Sequence, residues 1–274
     1  MSRGYLAYAV GKECYQQAYL LALSLAASGN KEPFSIITDQ ITGEEDLVFD
    51  QLIPAPNVVE PTGRLHALGR TYSQSLSPYD ETIMFDTDVI VMQNLSHIWD
   101  FYSHRDVCYL NTIYDYRGQP IVNDRNRTAT TSNGLPNVYC GMHYFCNSEA
   151  STQFHNQLIT IAENWEEYYA KFFRKNKPDY LSMDFMLSVA MQMYGTEHLT
   201  VSMPKFVHMK PRIQGWKLPA ENWIDRTSYT LTPDLNLAVC GWPQDTVFHY
   251  VEPEFVTNEL IRTFEEKLLE LYQL

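Results

Sequence analysis

The first 110 residues alternate short apolar runs with segments in which apolar positions recur at helical spacing. Between the apolar runs, residues 13–28 and 62–75 have this helical spacing, and the first of these segments ends at Gly29. Residues 89–91 continue the third apolar run beyond a polar interruption. Strands and helices in this order favour a mostly parallel sheet with helices on both faces. The apolar runs themselves predict four buried strands, at residues 5–10, 34–38, 82–85 and 107–110.

The rest of the chain predicts one long loop, a further strand and several helices. Residues 111–137 are polar and rich in Asn, Arg and Thr, and a loop of that length in a compact domain is commonly functional. Residues 139–146 resume as a strand. Apolar periodicity then predicts a long helix over 151–175, a second helix that starts after Ser182 and an amphipathic terminal helix over 253–271. The pattern predicts an α/β fold with a helical C-terminal region.

Composition limits the classes of partner and the compartment. The chain has 274 residues, of which 45% are hydrophobic, so it can bury a sizeable core and is not a disordered protein. Its net charge of −13 repels nucleic acid in general, which leaves nucleic acid possible only as an acceptor substrate. The five cysteines form no Cys-x-x-Cys motif, and no secretory signal is visible. Because the number of cysteines is odd and no signal is visible, we expect a cytoplasmic protein, and the longest apolar stretch, residues 19–27, is too short to span a bilayer.

The strongest chemical signal is a pair of carboxylates at the end of the third strand. Asp86 and Asp88 follow one apolar run and precede the next. In extended backbone, side chains two residues apart point to the same side. Two neighbouring carboxylates repel each other unless a cation lies between them, and hard oxygen ligands suit Mg²⁺ or Mn²⁺. Such a cation can also bind a diphosphate, which the bare carboxylates would repel. The pair therefore predicts a site for Mn²⁺ or Mg²⁺.

Other polar or open positions also follow predicted strands. Gly11 comes directly after the first strand, and Asp39 after the second. In open α/β sheets, ligands bind beyond the carboxyl ends of the strands. We therefore expect Gly11, Asp39 and Asp86 to lie at one edge of the sheet, beside a common ligand.

The segment 64–95 resembles the GT-A type glycosyltransferases, notably the group of glycogenin and the bacterial galactosyltransferases. The shared pattern is an apolar strand that leads into the Asp-Thr-Asp motif of residues 86–88, followed by an apolar triplet and by Asn94 and Leu95. The resemblance implies a Rossmann-like GT-A fold, a nucleotide-diphosphate sugar as donor, an acceptor hydroxyl and a divalent metal ion. It further implies that the sugar is transferred with retention of configuration.

The same resemblance divides one domain, residues 1–274, into three parts. Residues 1–110 would bind the nucleotide sugar, residues 111–250 would bind the acceptor and complete the metal site, and residues 251–274 would form a C-terminal helix. The residues implied to contact the donor in the first part are Ala9, Val10, Gly11, Tyr15, Asp39, Arg64, Arg70, Asp86 and Thr87.

Within that implied donor site, the residues have different roles. Residues 9–11 would line the nucleoside pocket, Asp39 would meet the base or ribose, and either Arg64 or Arg70 would approach the phosphates or the sugar. In the second part, Gly141 would let the acceptor come close to the donor. The implied catalytic residues are Asp88, through the metal, and Asp184, which stands near a helix start and would contact the donor sugar.

A third metal ligand is expected from the second part of the chain, where two histidines qualify. His249 and His208 both lie in short apolar runs, and neither segment reproduces the His-x-x-Gly-x-x-Lys-Pro-Trp motif of the resembled group. We favour His249, because it stands just before the final helix, and keep His208 as the alternative. Lys210 and Trp216 form a candidate phosphate clamp with a stacking ring.

Three other functions fit parts of the pattern. Phosphatases of the haloacid dehalogenase type also have Asp-x-Asp after an apolar strand, but here the motif lies far into the chain and no second acidic pair of their kind follows it. A non-catalytic nucleotide-sugar-binding protein would carry the same site. A phage-type DNA-base glycosyltransferase that acts on hydroxymethylated pyrimidines would use the arginines of residues 117–127 to meet phosphate. A glycosyltransferase with an unidentified acceptor is the favoured interpretation.

Overall fold

The computed structural model describes residues 1–40, 48–61, 66–196, 199–209 and 222–272. The strands of these residues are β1 (Arg3–Ala9), β2 (Phe34–Thr38), β3 (Leu52–Pro54), β4 (Glu81–Phe85), β5 (Val89–Val91), β6 (Val107–Leu110), β7 (Tyr139–Cys146), β8 (Thr200–Val201), β9 (Phe206–His208), β10 (Tyr229–Leu231), β11 (Leu237–Val239), β12 (Trp242–Gln244) and β13 (Val247–His249). The α-helices are α1 (Lys12–Ala27), α2 (Ala67–Arg70), α3 (Ser73–Leu76), α4 (Ser96–Tyr102), α5 (Arg125–Ser132), α6 (Glu149–Glu163), α7 (Trp165–Phe172), α8 (Met183–Tyr194) and α9 (Asn258–Tyr272).

Seven of the strands form a central sheet in the order β3-β2-β1-β4-β7-β6-β8. The strand β1 pairs in parallel with β2 and with β4. Two further pairs are also parallel, β2 with β3 and β6 with β8. The strand β7 runs antiparallel to both of its neighbours, β4 and β6. Because β1, β2 and β4 are covered on both faces, their sequences are almost continuous apolar runs without a polar alternation. The predicted mostly parallel α/β sheet is confirmed.

Helices cover both faces of the central sheet. Alternate residues of β1 belong to opposite apolar clusters, with Tyr5 and Ala7 in one and Leu6 and Tyr8 in the other. On the first face α1 packs against the sheet and against α9, and on the second face α6 and α8 pack against each other. Of the described helices, none combines the length and the apolar composition that a bilayer span requires.

A second sheet, in the order β5-β13-β9, holds the late part of the chain against the middle part. The strand β13 is antiparallel to β5 and parallel to β9. The segment 89–91 is therefore extended, as predicted, but it belongs to this second sheet and not to the central one. The register places His249 opposite Val89 on one side and His208 on the other. A third, antiparallel sheet consists of β10, β11 and β12.

Two predicted segments have a different internal structure. The helix expected over 151–175 is divided at Asn164, whose φ of −122° and ψ of 30° leave the helical region, into α6 and α7. The loop expected over 111–137 contains α5, because Asp124 caps that helix by accepting a hydrogen bond from the backbone N–H of Arg127. A polar sequence thus forms a helix through its cap, without the apolar periodicity that would have revealed it.

The terminal helix begins later than predicted, and the helix expected over 62–75 is divided within its described part. A 3-10 helix, Pro253–Phe255, precedes α9, so the terminal α-helix starts at Asn258. In the segment 62–75, residues 62–65 lie outside the described residues, and the remainder forms the short helices α2 and α3.

Candidate active site

Asp86 and Asp88 lie at the carboxyl edge of the central sheet, where the chain leaves β4 and enters β5. The backbone N–H of Asp86 donates to the carbonyl of Gly141 at 2.9 Å, and the carbonyl of Asp88 accepts from the N–H of Tyr250 at 3.1 Å. Their side chains keep 16% and 22% of their surface exposed, respectively. We call Asp86 and Asp88 the strand-end pair. Its backbone is fixed by both sheets, whereas its carboxylates are partly exposed.

His249 joins the strand-end pair through the second sheet. Because β13 pairs with β5, the ring reaches Asp88, with Nε2 at 2.8 Å from Asp88 Oδ2. One ligand atom each from Asp86, Asp88 and His249 lie within 4.8 Å of one another. Carboxylates suit Mg²⁺ and Mn²⁺, and the additional imidazole favours Mn²⁺. His208, the alternative ligand, lies on β9 with its ring 4.5 Å from that of His249, and it is not among the three described residues of this cluster.

Arg70 offsets part of the negative charge of the strand-end pair. The helix α2 ends at Arg70, whose guanidinium forms a salt bridge with Asp86. Burial raises the pKa of Asp86, whereas the charge of Arg70 lowers it. The effect of burial is the larger, so the pKa of Asp86 is raised. For Arg70, burial lowers the pKa but Asp86 raises it, and the net result is again a raised pKa, so the guanidinium stays charged. A divalent cation would supply the positive charge that two carboxylates require beyond one arginine.

Gly11 and Asp39 meet where β1 and β2 end. The backbone N–H of Gly11 donates to Asp39 Oδ1 at 2.8 Å. Gly11 has a φ of 87°, a conformation that glycine adopts without strain. Burial raises the pKa of Asp39, but hydrogen bonds from Gly11 and Gln40 outweigh it, so the pKa is lowered and the carboxylate is ionised. Ala9 is fully buried in β1 and Val10 is half-buried after it.

The side chains of Thr87 and Tyr15, both implied to contact the donor, make internal contacts. The buried hydroxyl of Thr87 donates to Gln17 Oε1 at 3.1 Å, which ties the turn between the two aspartates to α1. The ring of Tyr15 packs edge-on against Phe49, with centroids 5.7 Å apart. Three other residues predicted to contact the donor or its phosphates lie outside the described residues: Arg64, Lys210 and Trp216.

A second pair of carboxylates lies beside the start of β7. Asp124 caps α5, and Asp184 stands in the first turn of α8, so we call them the helix-start pair. The buried Arg127 joins them, with Nη1 at 3.0 Å from Asp124 Oδ2 and Nη2 at 3.5 Å from Asp184 Oδ2. The backbone N–H of Cys140 donates to Asp184 Oδ1 at 3.0 Å. Both carboxylates thus lie at helix N-termini, where negative charge is favoured, and beside one cation.

The strand β7 connects the two pairs through Tyr139. The Tyr139 hydroxyl lies 2.5 Å from His249 Nδ1, and the guanidinium of Arg127 lies 5.2 Å from the centre of the Tyr139 ring. Burial, and after it the charge of Asp86, raises the pKa of Tyr139 well above its usual value, so the phenol keeps its proton. One buried ring therefore contacts the histidine of the first pair and the arginine of the second.

Gly141 has an internal packing role in addition to the one implied for it. A Cβ atom at this position would lie 2.5 Å from the Tyr139 ring, which is closer than real side chains approach. Glycine at position 141 therefore lets the Tyr139 ring fold back over its own strand.

The sequence did not indicate three residues of this region, Asp124, Arg127 and Tyr139, as parts of the site. Asp124 could have been found as an N-cap residue in front of a helix, but Arg127 was considered only as one of the arginines available for phosphate. Arg127 is 3% exposed and forms salt bridges with both carboxylates of the helix-start pair, so it is not offered to a nucleic acid. Tyr139 gave no signal, because its partner His249 lies 110 positions away in the sequence.

Comparison with known proteins supports the fold. No protein-family model matches the sequence, and no curated protein sequence matches it. Among solved structures, the galactosyltransferase LgtC in complex with donor and acceptor sugar analogues is similar, with a TM-score of 0.55, 13% sequence identity and coverage of 97% of this chain and 95% of LgtC. The glycosyltransferase GlyE of Streptococcus pneumoniae has a TM-score of 0.52 and 10% identity, and this chain spans 64% of its length. The chain has the fold of the GT-A type glycosyltransferases, as the sequence predicted.

Proposed function

We propose that the protein is a metal-dependent glycosyltransferase that moves a sugar from a nucleotide-diphosphate donor to an acceptor hydroxyl. The observation that carries the proposal is the cluster of Asp86, Asp88 and His249 at the carboxyl edge of a GT-A sheet. That edge is where open α/β sheets bind their ligands. The same fold in LgtC is seen with donor and acceptor sugar analogues, which supports a sugar donor for this chain as well.

The residues of the strand-end pair and His249 would hold the cation. Their donor set of two carboxylates and one imidazole fits Mn²⁺ and, less well, Mg²⁺. When bound, the cation supplies positive charge that stabilises the nucleotide diphosphate as a leaving group. Asp88 and His249 lie close enough to bind it with little rearrangement, since their atoms are already 2.8 Å apart.

Arg70 has a second role in this proposal. In the structure it pairs with Asp86, and that carboxylate would be shared with a cation once one binds. The guanidinium then has donor groups to offer to the oxygens of the diphosphate, which an arginine binds in a bidentate way. The nucleoside would lie beside residues 9–11, where the ionised Asp39 accepts hydrogen bonds from the ribose or base.

Asp184 would line the site of the transferred sugar. Its two oxygens are held by the N–H of Cys140 and by Arg127, so its position is set before any ligand arrives. Gly141, next to Cys140, would leave space for the acceptor hydroxyl. We expect retention of configuration, as the resemblance implies, and NMR of the product checks it, because an inverted anomer contradicts this part of the proposal. We assign the activity to the cytoplasm, since all five cysteines are free thiols, as in a reducing compartment.

The test is a thermal-shift screen of uridine, guanosine and adenosine diphosphate sugars, each with and without Mn²⁺. A ligand at about 100 times its Kd adds about 2.7 kcal/mol of stability. For a chain of this size that corresponds to a rise of about 5 °C or more. We expect the rise for one nucleotide class and only with the metal, and Asp88→Asn as the matched variant should abolish it. A wild-type protein that responds to none of these combinations would contradict the proposal.

A further inference from the structure

A cleft lies between the last turn of α8, the segment that follows α5 and the strands β6 and β8. Its volume of about 360 Å³ is in the range of sites that bind small molecules. Its polar lining comes from Asn111, Asn137, Gln192 and Thr200, and residues 134–136 complete it. We call it the amide cleft. Because none of its lining residues is ionisable, the cleft suits a neutral ligand that forms hydrogen bonds.

The amide cleft lies at the same edge of the central sheet as the strand-end pair. Asn111 directly follows β6, Thr200 begins β8, and Asn137 stands just before β7. Since β4 and β6 both run antiparallel to β7, the end of β6 and the start of β7 meet at the carboxyl edge of β4. The strand β7 alone separates β6 from β4, so the cleft begins about 10 Å from the end of β4.

The helix α8 gives a second measure of the same separation. Asp184 stands in its first turn and Gln192 in its last, about 12 Å further along the helix axis. Between them, Ser188 donates to the carbonyl of Pro136, a cleft residue, at 2.8 Å. Asp184 accepts from the N–H of Cys140 at 3.0 Å. One short segment of chain held against α8 therefore connects the wall of the cleft with the proposed site of the transferred sugar.

The amides of the cleft are held in place and still have hydrogen-bonding groups to offer. Asn111 Nδ2 donates to Thr200 Oγ1 at 3.2 Å, and Asn111 Oδ1 accepts from Ser202 Oγ at 2.8 Å. The backbone carbonyl of Asn111 accepts from Asn137 Nδ2 at 3.0 Å. Within the described part of the chain, Asn137 Oδ1 and the side-chain amide of Gln192 have no hydrogen-bond partner. These groups include both donors and acceptors, which is the combination that hydroxyl groups require.

We propose that the amide cleft binds a neutral sugar ring of the acceptor, beyond the ring whose hydroxyl receives the transferred sugar. The amides bind the hydroxyls of that ring, and Leu135 and Pro136 pack against its apolar C–H face. The uncharged lining and the net charge of −13 disfavour an anionic ring. A separation of about 10 to 12 Å exceeds one sugar ring, so the acceptor is an oligosaccharide. The inference rests on the proposed function, since it names the acceptor of the same enzyme.

The experiment has two parts, and the first measures binding alone. NMR titration of nitrogen-15-labelled protein with lactose, maltose, cellobiose and diacetylchitobiose gives the Kd of the wild type, of Gln192→Ala and of a control, Gln153→Ala. Both glutamines are exposed on helices, and Gln153 lies on α6 outside the cleft. We expect one of these disaccharides to shift the side-chain amide signals of Gln192 in the wild type.

The expected difference between the variants is the loss of one neutral hydrogen bond, which weakens binding by about 3-fold to 10-fold. We expect this loss in Gln192→Ala and no change in Gln153→Ala. Sialyllactose should bind no more tightly than lactose. Equal Kd values for Gln192→Ala and the wild type would overturn the inference, as would a wild type that binds none of the disaccharides or that prefers the sialylated sugar.

The second part tests the acceptor role, with the disaccharide that binds and the nucleotide sugar that stabilises the protein in the presence of Mn²⁺. In Gln192→Ala we expect the acceptor KM to rise by about the same factor as the Kd, whereas kcat at saturating acceptor and the donor KM stay close to the wild-type values. A disaccharide that binds in the cleft but receives no sugar would overturn the acceptor role.

The two proposals fail in different ways. If nucleotide sugars with Mn²⁺ stabilise the wild type but no disaccharide binds, this inference is wrong and the proposed function stands. If a disaccharide binds but no nucleotide sugar does, the proposed function is wrong and the acceptor role fails with it.

Discussion

Two pairs of aspartates within the described residues each have one arginine beside them, and the two pairs differ in how their negative charge is offset. The strand-end pair, Asp86 and Asp88, has side chains that are 16% and 22% exposed and that lie at the end of a strand. The helix-start pair, Asp124 and Asp184, is less exposed, at 6% and 8% for the side chains. Its carboxylates lie at the N-termini of two helices and accept backbone hydrogen bonds.

This difference separates a pair whose charge the fold itself offsets from a pair whose charge the fold offsets only in part. Helix N-termini, backbone N–H groups and Arg127 together offset the charge of the helix-start pair, so it requires no metal cation. The strand-end pair has Arg70 and His249 but no helix terminus, and burial raises the pKa of Asp86. Carboxylates whose charge the fold offsets only in part, and which stay partly exposed, are the ones on which a cation can act.

Removing one carboxylate of the strand-end pair should have the largest effect on turnover and little effect on stability. In Asp88→Asn, we expect glycosyl transfer to fall by about 1000-fold, because charge stabilisation by the metal is worth several kcal/mol in the transition state. The stability of the metal-free protein should stay within about 1 kcal/mol of the wild type, since a like-charge repulsion is relieved. Steady-state kinetics and denaturant unfolding measure the two quantities. If Asp88→Asn instead unfolds while its folded fraction stays active, the strand-end pair stabilises the fold and the comparison between the two pairs is wrong.

Removing Arg127, the positively charged side chain of the helix-start pair, should mainly reduce stability. In Arg127→Met, two carboxylates stay buried without their partner, and we expect a loss of about 3 kcal/mol in the free energy of unfolding. Arg125→Met is the matched control two residues away, because Arg125 and its partner Asp179 have side chains that are 63% and 79% exposed. Exposed pairs contribute less than about 1 kcal/mol. Chemical denaturation of both variants measures the difference, and similar losses would show that burial does not distinguish them.

Lowering the pH should reduce the free energy of unfolding through a buried histidine in the apolar core that supports the helix-start pair. Within that core, burial lowers the pKa of His155 from 6.5 to about 4, although a hydrogen bond to Ser151 opposes the shift. Because the unfolded chain binds the proton near pH 6.5 and the folded protein does not, unfolding takes up a proton and stability falls as the pH is lowered through this window.

At pH 5 the contribution of this one group is about 2 kcal/mol. We therefore expect His155→Gln to lose about 2 kcal/mol less than the wild type between pH 7 and pH 5, measured by denaturant unfolding at both values. The exposed His97 supplies the control, His97→Gln, whose loss should equal that of the wild type. An unchanged pH dependence in His155→Gln would mean that the ring is protonated in the folded protein.

The smallest effect on turnover is expected for a substitution of Thr87, the residue between the two aspartates of the strand-end pair. The Thr87 hydroxyl donates to the buried Gln17, so Thr87→Val should reduce stability by about 1 kcal/mol. If the hydroxyl has no contact with the donor, turnover should stay within a few-fold of the wild type. Kinetics at saturating and at low donor concentration checks this, and a large rise in KM would return Thr87 to the donor-binding residues.

The central sheet and the strand-end pair were predictable because each depends on local sequence. Buried parallel strands give continuous apolar runs, and an acidic pair directly after such a run lies at the carboxyl edge of the sheet. Asp86 and Asp88 needed no long-range information. Asp39 could be placed next to Gly11 for the same reason, since both follow neighbouring parallel strands.

The helix-start pair was not predictable in the same way, because its parts come together only in three dimensions. The helix α5 has no apolar periodicity, so the buried position of Arg127 gives no signal in the sequence. Asp184 was proposed from a resemblance, but its contact with Cys140 depends on how α8 packs beside β7. The pairing of β5 with β13 likewise decides that His249 and not His208 meets Asp88, and the two histidines have similar local sequences.

The second sheet has a consequence for biosynthesis. The hydrogen bond between Tyr139 and His249 spans 110 positions, and the chain is made from its N-terminus, so the acidic pair leaves the ribosome long before the strand that carries the histidine. Closing so large a loop also costs conformational entropy, which delays the contact further. The cluster of Asp86, Asp88 and His249 can therefore be completed only after β13 has been made, long after both aspartates have left the ribosome.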